Sequence, residues 1–568
     1  MYFCPLQKIQ FRSAALEKMK QKLLRFFSAF ILTICLLQLS YAQSRNDAPV
    51  FYSSNLPIVL INTNGQGIPD EPKIMADFRV IYNGQGERNH ITDTPNYSGK
   101  IGIEIRGSSS QMFPKKSYGF EMWNEMAQEI DTNILGMPKE SDWILNANYS
   151  DKTFCRNTLA YYVSNKMGHY STRFRYVEVM INNEYMGIYI LSEKIKRDNH
   201  RVDIADLNPD DNTGDQLTGG YIIKIDKATG SGGDGWISFF PPPAHPNDQY
   251  IYFQYDYPSQ YVLTSQQKQY IQGFMYNFEK SLSNLNFADT ATGYRKWMDV
   301  NSFMDYFIVN EISKNVDGYR LSTYLYKDRD SNDPKLHIGP VWDYDIAWHN
   351  ADYCDSEYYW GWAYQFPCAG DWWQIPFWWN RLLQDPNYNN QLKCRWLTLR
   401  QTSLSNDSMD YFVDSVANLL DEAQVRNFNT WPILGQYVWP NPYPLPQTYS
   451  EEIEVLKSWI HNRMTWLDSN MPGTCDCTDN NKPASLAVIA DVYPNPAKDI
   501  INIRIASVLT ADAAMTIANA DGRLILSEKI NESGINEFSR DISTLPPGFY
   551  IIRIIDDNRL YTARFVKQ

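Results

Sequence analysis

Apolar residues recur at helical spacing from Asn301 to about Lys314, with Met304, Ile308 and Ile312 on one face and Phe303 and Phe307 beside them. That period predicts an amphipathic helix, and Ser302 followed by Asp305 reads as a capping box at its start. Asn315–Gly318 then forms a loop carrying Asp317. Leu321–Tyr326 alternates in character and is rich in Thr and Tyr, which predicts a strand. The run DRDSNDP turns the chain, and Lys335–Trp342 returns as a second strand that delivers Asp343 and Asp345.

The rest of the pattern is read around that stretch. Residues 43–98 hold short β-like runs, LPIVLINTN and ADFRVIYN, broken by Asn-Gly turns, and form a small N-terminal β layer. Ile101–Ile105 is a strand, Arg106–Ser110 a small-residue turn, and Lys115-Lys116 opens the next strand. Lys152–Met167 reads as a helix; Val177–Ile181 and Tyr185–Leu191 are strands joined by Asn182-Asn183, a hairpin signal. GGYIIKID, ending at Asp226, is a further strand, followed by the glycine-rich loop Gly230–Gly235 and a long helix from Gln266 to about Leu285. Helices from about Asn389 to Asn427 and from Glu451 to Met471 close this part. Residues 472–485 are a polar, turn-rich linker, and residues 486–568 are strands and turns throughout, the size of a small β-sandwich.

Composition narrows the class. The chain has 568 residues, 43% hydrophobic and 21% charged, which is globular rather than disordered. Its net charge of −13 argues against a nucleic-acid partner, because binding a phosphate backbone requires basic surface. A phosphate-handling protein this acidic must gather positive charge locally, through Lys, Arg or a metal. Residues 1–42 read as a leader, with Met19 the expected start: Lys20, Lys22 and Arg25 are basic, Phe26–Leu39 is apolar, and Ser40-Tyr41-Ala42 is a small-residue cleavage site. No other run is apolar enough to span a membrane, so no transmembrane span is expected after leader removal. Cys155, Cys354, Cys368, Cys394, Cys475 and Cys477 then remain for an oxidising compartment. Cys354–Cys368, closing a Trp-rich loop, is the expected pair; Cys475-Asp476-Cys477 lacks the spacing of a zinc site.

The acidic residues suggest the chemistry. Phosphoryl transfer needs positioning and charge neutralisation more than covalent work by the protein. One carboxylate must sit where the acceptor hydroxyl loses its proton, which suits Asp317. Others must hold Mg²⁺, a hard ion that takes oxygen ligands; Asp343 and Asp345, two apart and on one face if extended, suit that. Singly, each Asp reads as a turn or a solvated strand end; in this order the set reads as a kinase active site. The turn at Arg106–Ser110 lets backbone N–H groups approach phosphate oxygens, with a lysine downstream, although it is neither a Walker loop nor a GxGxxG loop. Trp360, Trp362, Trp372, Trp373, Trp378 and Trp379 crowd a short region and are read as core or interface mass, with stacking on sugar rings the lesser alternative.

The motifs IEIRGSSSQMFPKKSYGFEM, DWILNANYSDKTFCRNTLAYYV, YVEVMINNEYMGIYILSEKIKRD, GGYIIKID, NVDGYRLSTYLYKD and GPVWDYDIAW, in this order, resemble the CotH-like kinases, named for spore coat protein H. The resemblance implies an α+β, atypical protein-kinase-like two-lobed domain over residues 99–471. It implies ATP and Mg²⁺ (or Mn²⁺) as cofactors and Ser or Thr of an unidentified, co-exported protein as acceptor. It makes Arg106, Ser108 and Lys116 nucleotide contacts, with Lys115 the alternative to Lys116. Ser192-Glu193-Lys194 resembles the interlobe hinge, where Glu193 is open between the nucleotide's polar edge and a plain salt bridge. The helix after Lys152 offers Arg156 and Asn157 but no inward glutamate, so Glu178 is the candidate partner of the lysine. Ordinary kinases hold a second metal with an Asn five residues after the catalytic Asp. Ser322 stands there, leaving Asn310, Asn315 or water, or a metal bound differently. A surface adhesin on a catalytically silent scaffold is the competing reading.

The tail, with YPNPA at 493–497, LPPGFY at 545–550 and the ending RFVKQ, resembles the type A C-terminal sorting domain of the type IX secretion system. That resemblance implies an export address read by the type IX machinery, a Bacteroidota-type bacterium, and a secreted or cell-surface destination.

Overall fold

Alternating apolar positions close the first part of the chain into a seven-stranded barrel. Its strands are β1 (Ile58–Asn62), β2 (Ile74–Ile81), β3 (Tyr97–Arg106), β4 (Ser117–Trp123), β5 (Asp142–Asn146), β6 (Phe174–Ile181) and β7 (Glu184–Glu193). The order around the barrel is β1-β2-β3-β4-β5-β7-β6, and β1 closes it by pairing in parallel with β6. The strands expected as a small N-terminal β layer, β1 and β2, are staves of this barrel. Closure removes the unpaired edges that a free layer would leave. Asn182 and Asn183 take left-handed φ values of 51° and 67°, the geometry of a tight turn between β6 and β7. The computed structural model describes residues 51–227, 234–245, 249–368, 370–475, 488–505, 508–509, 513–519, 524–530, 534–556 and 559–568. The leader, residues 230–233 of the glycine-rich loop and most of the linker lie outside the described residues.

Helix α1 (Arg156–Lys166) crosses between β5 and β6 and begins later than its period suggests. Asp151 causes the delay: its buried carboxylate accepts N–H bonds from Thr153 and Arg156 and pairs with the Arg156 guanidinium at 2.6 Å, so residues 152–154 form a turn. Beyond the barrel, β8 (Tyr221–Ile225), β9 (Gly235–Ile237), β10 (Tyr252–Tyr257), β11 (Thr323–Lys327) and β12 (Leu336–Ile338) form a second sheet in the order β9-β10-β8-β11-β12. The helices of this part are α2 (Ser265–Ser283), α3 (Val300–Ser313), α4 (Pro386–Arg400), α5 (Asn406–Thr430) and α6 (Tyr449–Asn470); α3 packs against β12 and α5 against the barrel strand β7.

The start of α3 corrects another expectation. Asp299, not Ser302, is the cap, accepting the Ser302 N–H at 2.7 Å. Asp305 lies on the inner face, where its buried carboxylate bonds Arg395 and His169, each at 2.7 Å. The far end of α3 anchors the Trp-rich loop beyond the second sheet. Glu311 pairs with Arg463 at 3.0 Å and accepts N–H bonds from Ala363 and Tyr364. Lys314, left-handed at φ 42°, ends the helix and donates to the carbonyls of Asp355, Tyr358 and Trp360. The loop so pinned is closed by the Cys354–Cys368 disulfide, and a second bridge, Cys394–Cys475, ties α4 to the start of the linker. Trp378 and Trp379 are fully buried, whereas Trp360 and Trp372 are about half exposed at 47% and 51%.

Glu279 on α2 is buried and bonded by Ser238 and the Trp378 indole, and burial pushes its carboxyl up to about 7. An acid raised in the folded state favours folding while protonated and weakens it as pH rises through that value. Ionising Glu279 is therefore expected to lower stability between about pH 5 and pH 8, and Glu279→Gln to remove its share of that slope. At about pH 8 the variant gains on the order of 3 kcal/mol, as urea unfolding of both proteins at the two pH values will measure.

In the tail, Val488–Ile489, Arg559–Lys567, Gly548–Asp556, Ala514–Asn519 and Leu524–Lys529 form one sheet in that order. Asp491–Tyr493, Ile500–Arg504 and Glu537–Asp541 form another, and Ile503, Phe538, Ile517 and Ile552 meet in the core between them: a small β-sandwich. Among the described residues no helix is long and apolar enough to cross a membrane.

Candidate functional site

The loop after α3 is shaped by its amides. Asn315 Oδ1 accepts the Asp317 N–H at 3.1 Å, and Asn310 donates to the Tyr306 carbonyl while accepting the Tyr344 hydroxyl at 3.1 Å. Gly318 is required there, because a Cβ would lie 2.3 Å from Asn310 Oδ1. Arg320, 2% exposed, holds Asp317 Oδ1 at 2.7 Å and reaches Asp371 at 3.2 Å and the Trp373 carbonyl. Asp317 is thus half-buried, oriented by an arginine, and one carboxylate oxygen remains for another partner.

Strand β12 stops at Ile338, so residues 341–345 are irregular backbone. This corrects the extended delivery of the two acids: Asp343 takes a left-handed φ of 66°, which breaks the alternation of an extended segment. The intervening Tyr344 is buried, and its N–H donates to Asn157 Oδ1 on α1 at 2.6 Å. Ser322 and Tyr319 are also left-handed, at φ 47° and 71°. Non-glycine residues in that region cost about 1–3 kcal/mol each and gather at functional sites.

The acids converge. Asp343 keeps solvent-exposed surface although protein atoms crowd around it. Burial, then Asp317 and Asp226, push its carboxyl up to about 6, opposed by Arg106 and Lys227. Burial first, then Asp343, Asp151 and Asp317, drive Asp345 well above the usual carboxylate range. Asp317, Asp343 and Asp345 therefore share one electrostatic environment. Asp226 belongs to it too: it follows β8, whose Ile225 is paired with Thr323 of β11, and its carboxylate accepts the Ser322 N–H. Sequence reasoning stopped at the strand GGYIIKID. The missed signal was a carboxylate on its last position, where a strand end faces the start of its neighbour.

The other expected residues divide. Arg106, at the end of β3, lies over the Trp342 ring at 5.6 Å and acts electrostatically on Asp343, so the barrel contributes positive charge to this environment. Ser108 is exposed at the start of a short turn. Lys116 donates to its own turn, at the Gln111 carbonyl, 2.5 Å away. Lys115 is buried on the barrel's far contact, bonding the Ile188 carbonyl and Asn427 of α5, and burial lowers its amine well below the usual range. Glu178 is engaged by Arg426 at 2.5 Å, so it is not free for either lysine. Glu193 lies within β7, fully buried, and pairs with Arg173 at 2.9 Å, the salt-bridge alternative for this position. Lys194 is exposed and pairs with Asp142 at 3.3 Å.

Fold and site together define a mixed α/β protein in which the helix α3 loop and the segment after β12 gather acidic residues that Arg106, at the end of a barrel strand, acts on electrostatically. The chain belongs to the CotH kinase protein family, whose model matches residues 103–467. A second model, the secretion system C-terminal sorting domain, matches residues 491–568. That tail implies export through the type IX secretion machinery. No curated protein matches the chain.

Proposed function

We propose that this protein is an exported phosphotransferase that moves the terminal phosphoryl group of ATP to Ser or Thr of co-exported proteins. The observation that carries the reading is the mutual electrostatic influence of Asp317, Asp343 and Asp345, with Arg106 acting on Asp343 in the opposite sense. Asp317 is the base that receives the acceptor hydroxyl's proton, and Arg320 fixes its direction. Asp343 and Asp345 are the metal ligands. Among the described residues no three His, Cys, Asp or Glu side chains form a ready cage. Mg²⁺ in phosphate sites takes one or two carboxylates together with substrate phosphates, the number this pair supplies. When bound, the ion neutralises charge on the phosphates. Arg106 adds positive charge from the barrel side.

Incubation of the purified mature protein with γ-labelled ATP, Mg²⁺ or Mn²⁺ and co-secreted proteins tests this directly. Label on Ser or Thr is the expected result. The half-exposed rings of Trp360 and Trp372 favour a second reading, a surface adhesin that stacks sugar rings, and such a protein would bind glycans but no Mg·ATP. The tail makes a separate prediction. Deleting Arg564–Gln568 removes much of the last strand, which pairs with Gly548–Asp556. The truncated protein is expected to accumulate in the periplasm, and fractionation with immunoblotting will show whether it still reaches the medium or surface.

A further inference from the structure

The loop closed by Cys354–Cys368 touches the Asp317 segment at a second place, beyond its anchorage on α3. Among the described residues of this loop the one regular element is the short turn Ala363–Gln365. Its shape is imposed from outside, by Glu311 and Lys314 at the end of α3 and by Arg463, which donates to the Tyr359 and Gly361 carbonyls. Cys354, Asp355 and Phe366 are left-handed, at φ 55°, 56° and 34°. Non-glycine residues keep that conformation only where their surroundings over-determine it. The exit of the loop leads to Asp317. The Cys368 carbonyl accepts the Asp371 N–H at 3.0 Å and the Gln374 side chain at 3.3 Å, and Gln374 also donates to the Asp371 carbonyl at 2.7 Å. Asp371 pairs with Arg320 at 3.2 Å, and Arg320 holds Asp317 Oδ1 at 2.7 Å. The Arg320 guanidinium also lies 4.2 Å from the centre of the Phe366 ring and donates to the Trp373 carbonyl at 3.1 Å. Its bond to the Val316 carbonyl is local. Phe366, Asp371 and Trp373 all belong to the disulfide loop or to the stretch directly after it.

We propose that the Cys354–Cys368 bridge is a redox-dependent positioning device for Asp317. Formed, it keeps Phe366 and Asp371 on Arg320, and Arg320 keeps the carboxylate aimed. Opened, it frees the exit of the loop, and Asp317 loses its orienting partner. The physical reason is that a cross-link removes freedom from the chain it closes, while a reacting group must be held to a fraction of an ångström by the residues behind it. The effect on the Asp317 segment stands by itself; the effect on catalysis rests on the phosphotransfer reading. The bridge forms by thiol–disulfide exchange. The two thiols give up two electrons and two protons to a disulfide of an oxidoreductase in the exporting compartment, which departs as a dithiol, and the reverse exchange opens the bridge. In a reducing cytoplasm Asp317 is therefore unset, and it is set once the chain has crossed into an oxidising compartment.

Hydrogen exchange read by mass spectrometry follows the Asp317 segment without needing turnover. The full chain carrying Cys354→Ser and Cys368→Ser, with the Cys394–Cys475 bridge kept, is compared with wild type. Exchange over residues 315–321 is expected to quicken about tenfold or more while the barrel strands stay unchanged. In the same preparations phosphoryl transfer should fall about 10²-fold, with Mg·ATP affinity within a factor of about two. If the barrel also exchanges faster, the double variant has lost its fold, and wild type titrated with dithiothreitol takes its place. Exchange over 315–321 should then rise with the fraction of Cys354 and Cys368 open to alkylation. Unchanged exchange over 315–321 in the opened protein overturns the proposal and leaves the phosphotransfer reading standing. Faster exchange with transfer at the wild-type rate overturns it as well. Faster exchange in a protein whose wild type transfers no phosphate supports the positioning device and overturns the phosphotransfer reading.

Discussion

Replacing Asp317 by Ala is expected to leave Mg·ATP affinity within a factor of about two and to lower phosphoryl transfer by about 10²–10⁴-fold, the usual contribution of a positioned base. The separation follows from where the charge matters. In the proposed reaction Asp317 meets the acceptor hydroxyl as its proton is lost, so its contribution would be realised in the transition state and not in the resting nucleotide complex. The substitution should not unfold the loop, because Arg320 keeps its second carboxylate partner, Asp371 at 3.2 Å, and its bonds to the Val316 and Trp373 carbonyls. Single-turnover transfer of label, set beside calorimetric nucleotide titration of the same preparation, reads both halves. Transfer at the wild-type rate would remove Asp317 from the base role even if the kinase reading survived.

Asp343→Ala should act earlier in the cycle. A carboxylate that helps hold the metal on the phosphates works in the ground state, so metal-dependent nucleotide binding is expected to weaken about tenfold or more, with transfer lost alongside it. The same group sets a pH limit. Its carboxyl is pushed up to about 6 by burial and by Asp317 and Asp226. In the proposed metal role, protonation as pH falls through that value would remove a ligand, and Mg·ATP affinity should drop on the acid side. For folding the sign is opposite. A raised folded-state pKa means that ionising Asp343 works against the fold above about pH 6, so Asp343→Asn should melt no lower than wild type at about pH 8. Loss of binding without loss of stability is the mark of a group kept for chemistry. An adhesin would show neither effect, since its wild type would not bind Mg·ATP and glycan attachment would survive both substitutions.

Much of this was legible in one dimension because the relevant forces act over a few residues. The 3.6-residue period over Asn301–Lys314 predicted α3, Asn182-Asn183 predicted a tight turn, and the change of character after residue 483 separated a β-rich tail. The three acids named from their order, Asp317, Asp343 and Asp345, act electrostatically on one another in the folded chain. Their spacing carried that much because a helix, a short loop and a hairpin leave little freedom in between.

Long-range pairing decided the rest. Nothing local in LPIVLINTN says that it pairs in parallel with a strand more than a hundred residues later and closes a barrel. The cap of α3 moved from Ser302 to Asp299 because Asp305 found Arg395 and His169, partners contributed by other helices and loops. Along the chain Lys115 stood as the alternative to Lys116, and Glu193 was open between a nucleotide contact and a salt bridge. Burial against α5, a bond to a neighbouring carbonyl and a pair with Arg173 gave each a different environment. Asp226 joined these acids through the register of β8 with β11, and Asp343 left the extended line through a left-handed backbone held by Tyr344 and Asn157. Residue order alone governs which short segments form and which side chains they carry, since propensity and period are local. Which charges face each other is settled in the folded molecule, because burial and Coulomb interaction depend on distance in space and not on separation along the chain.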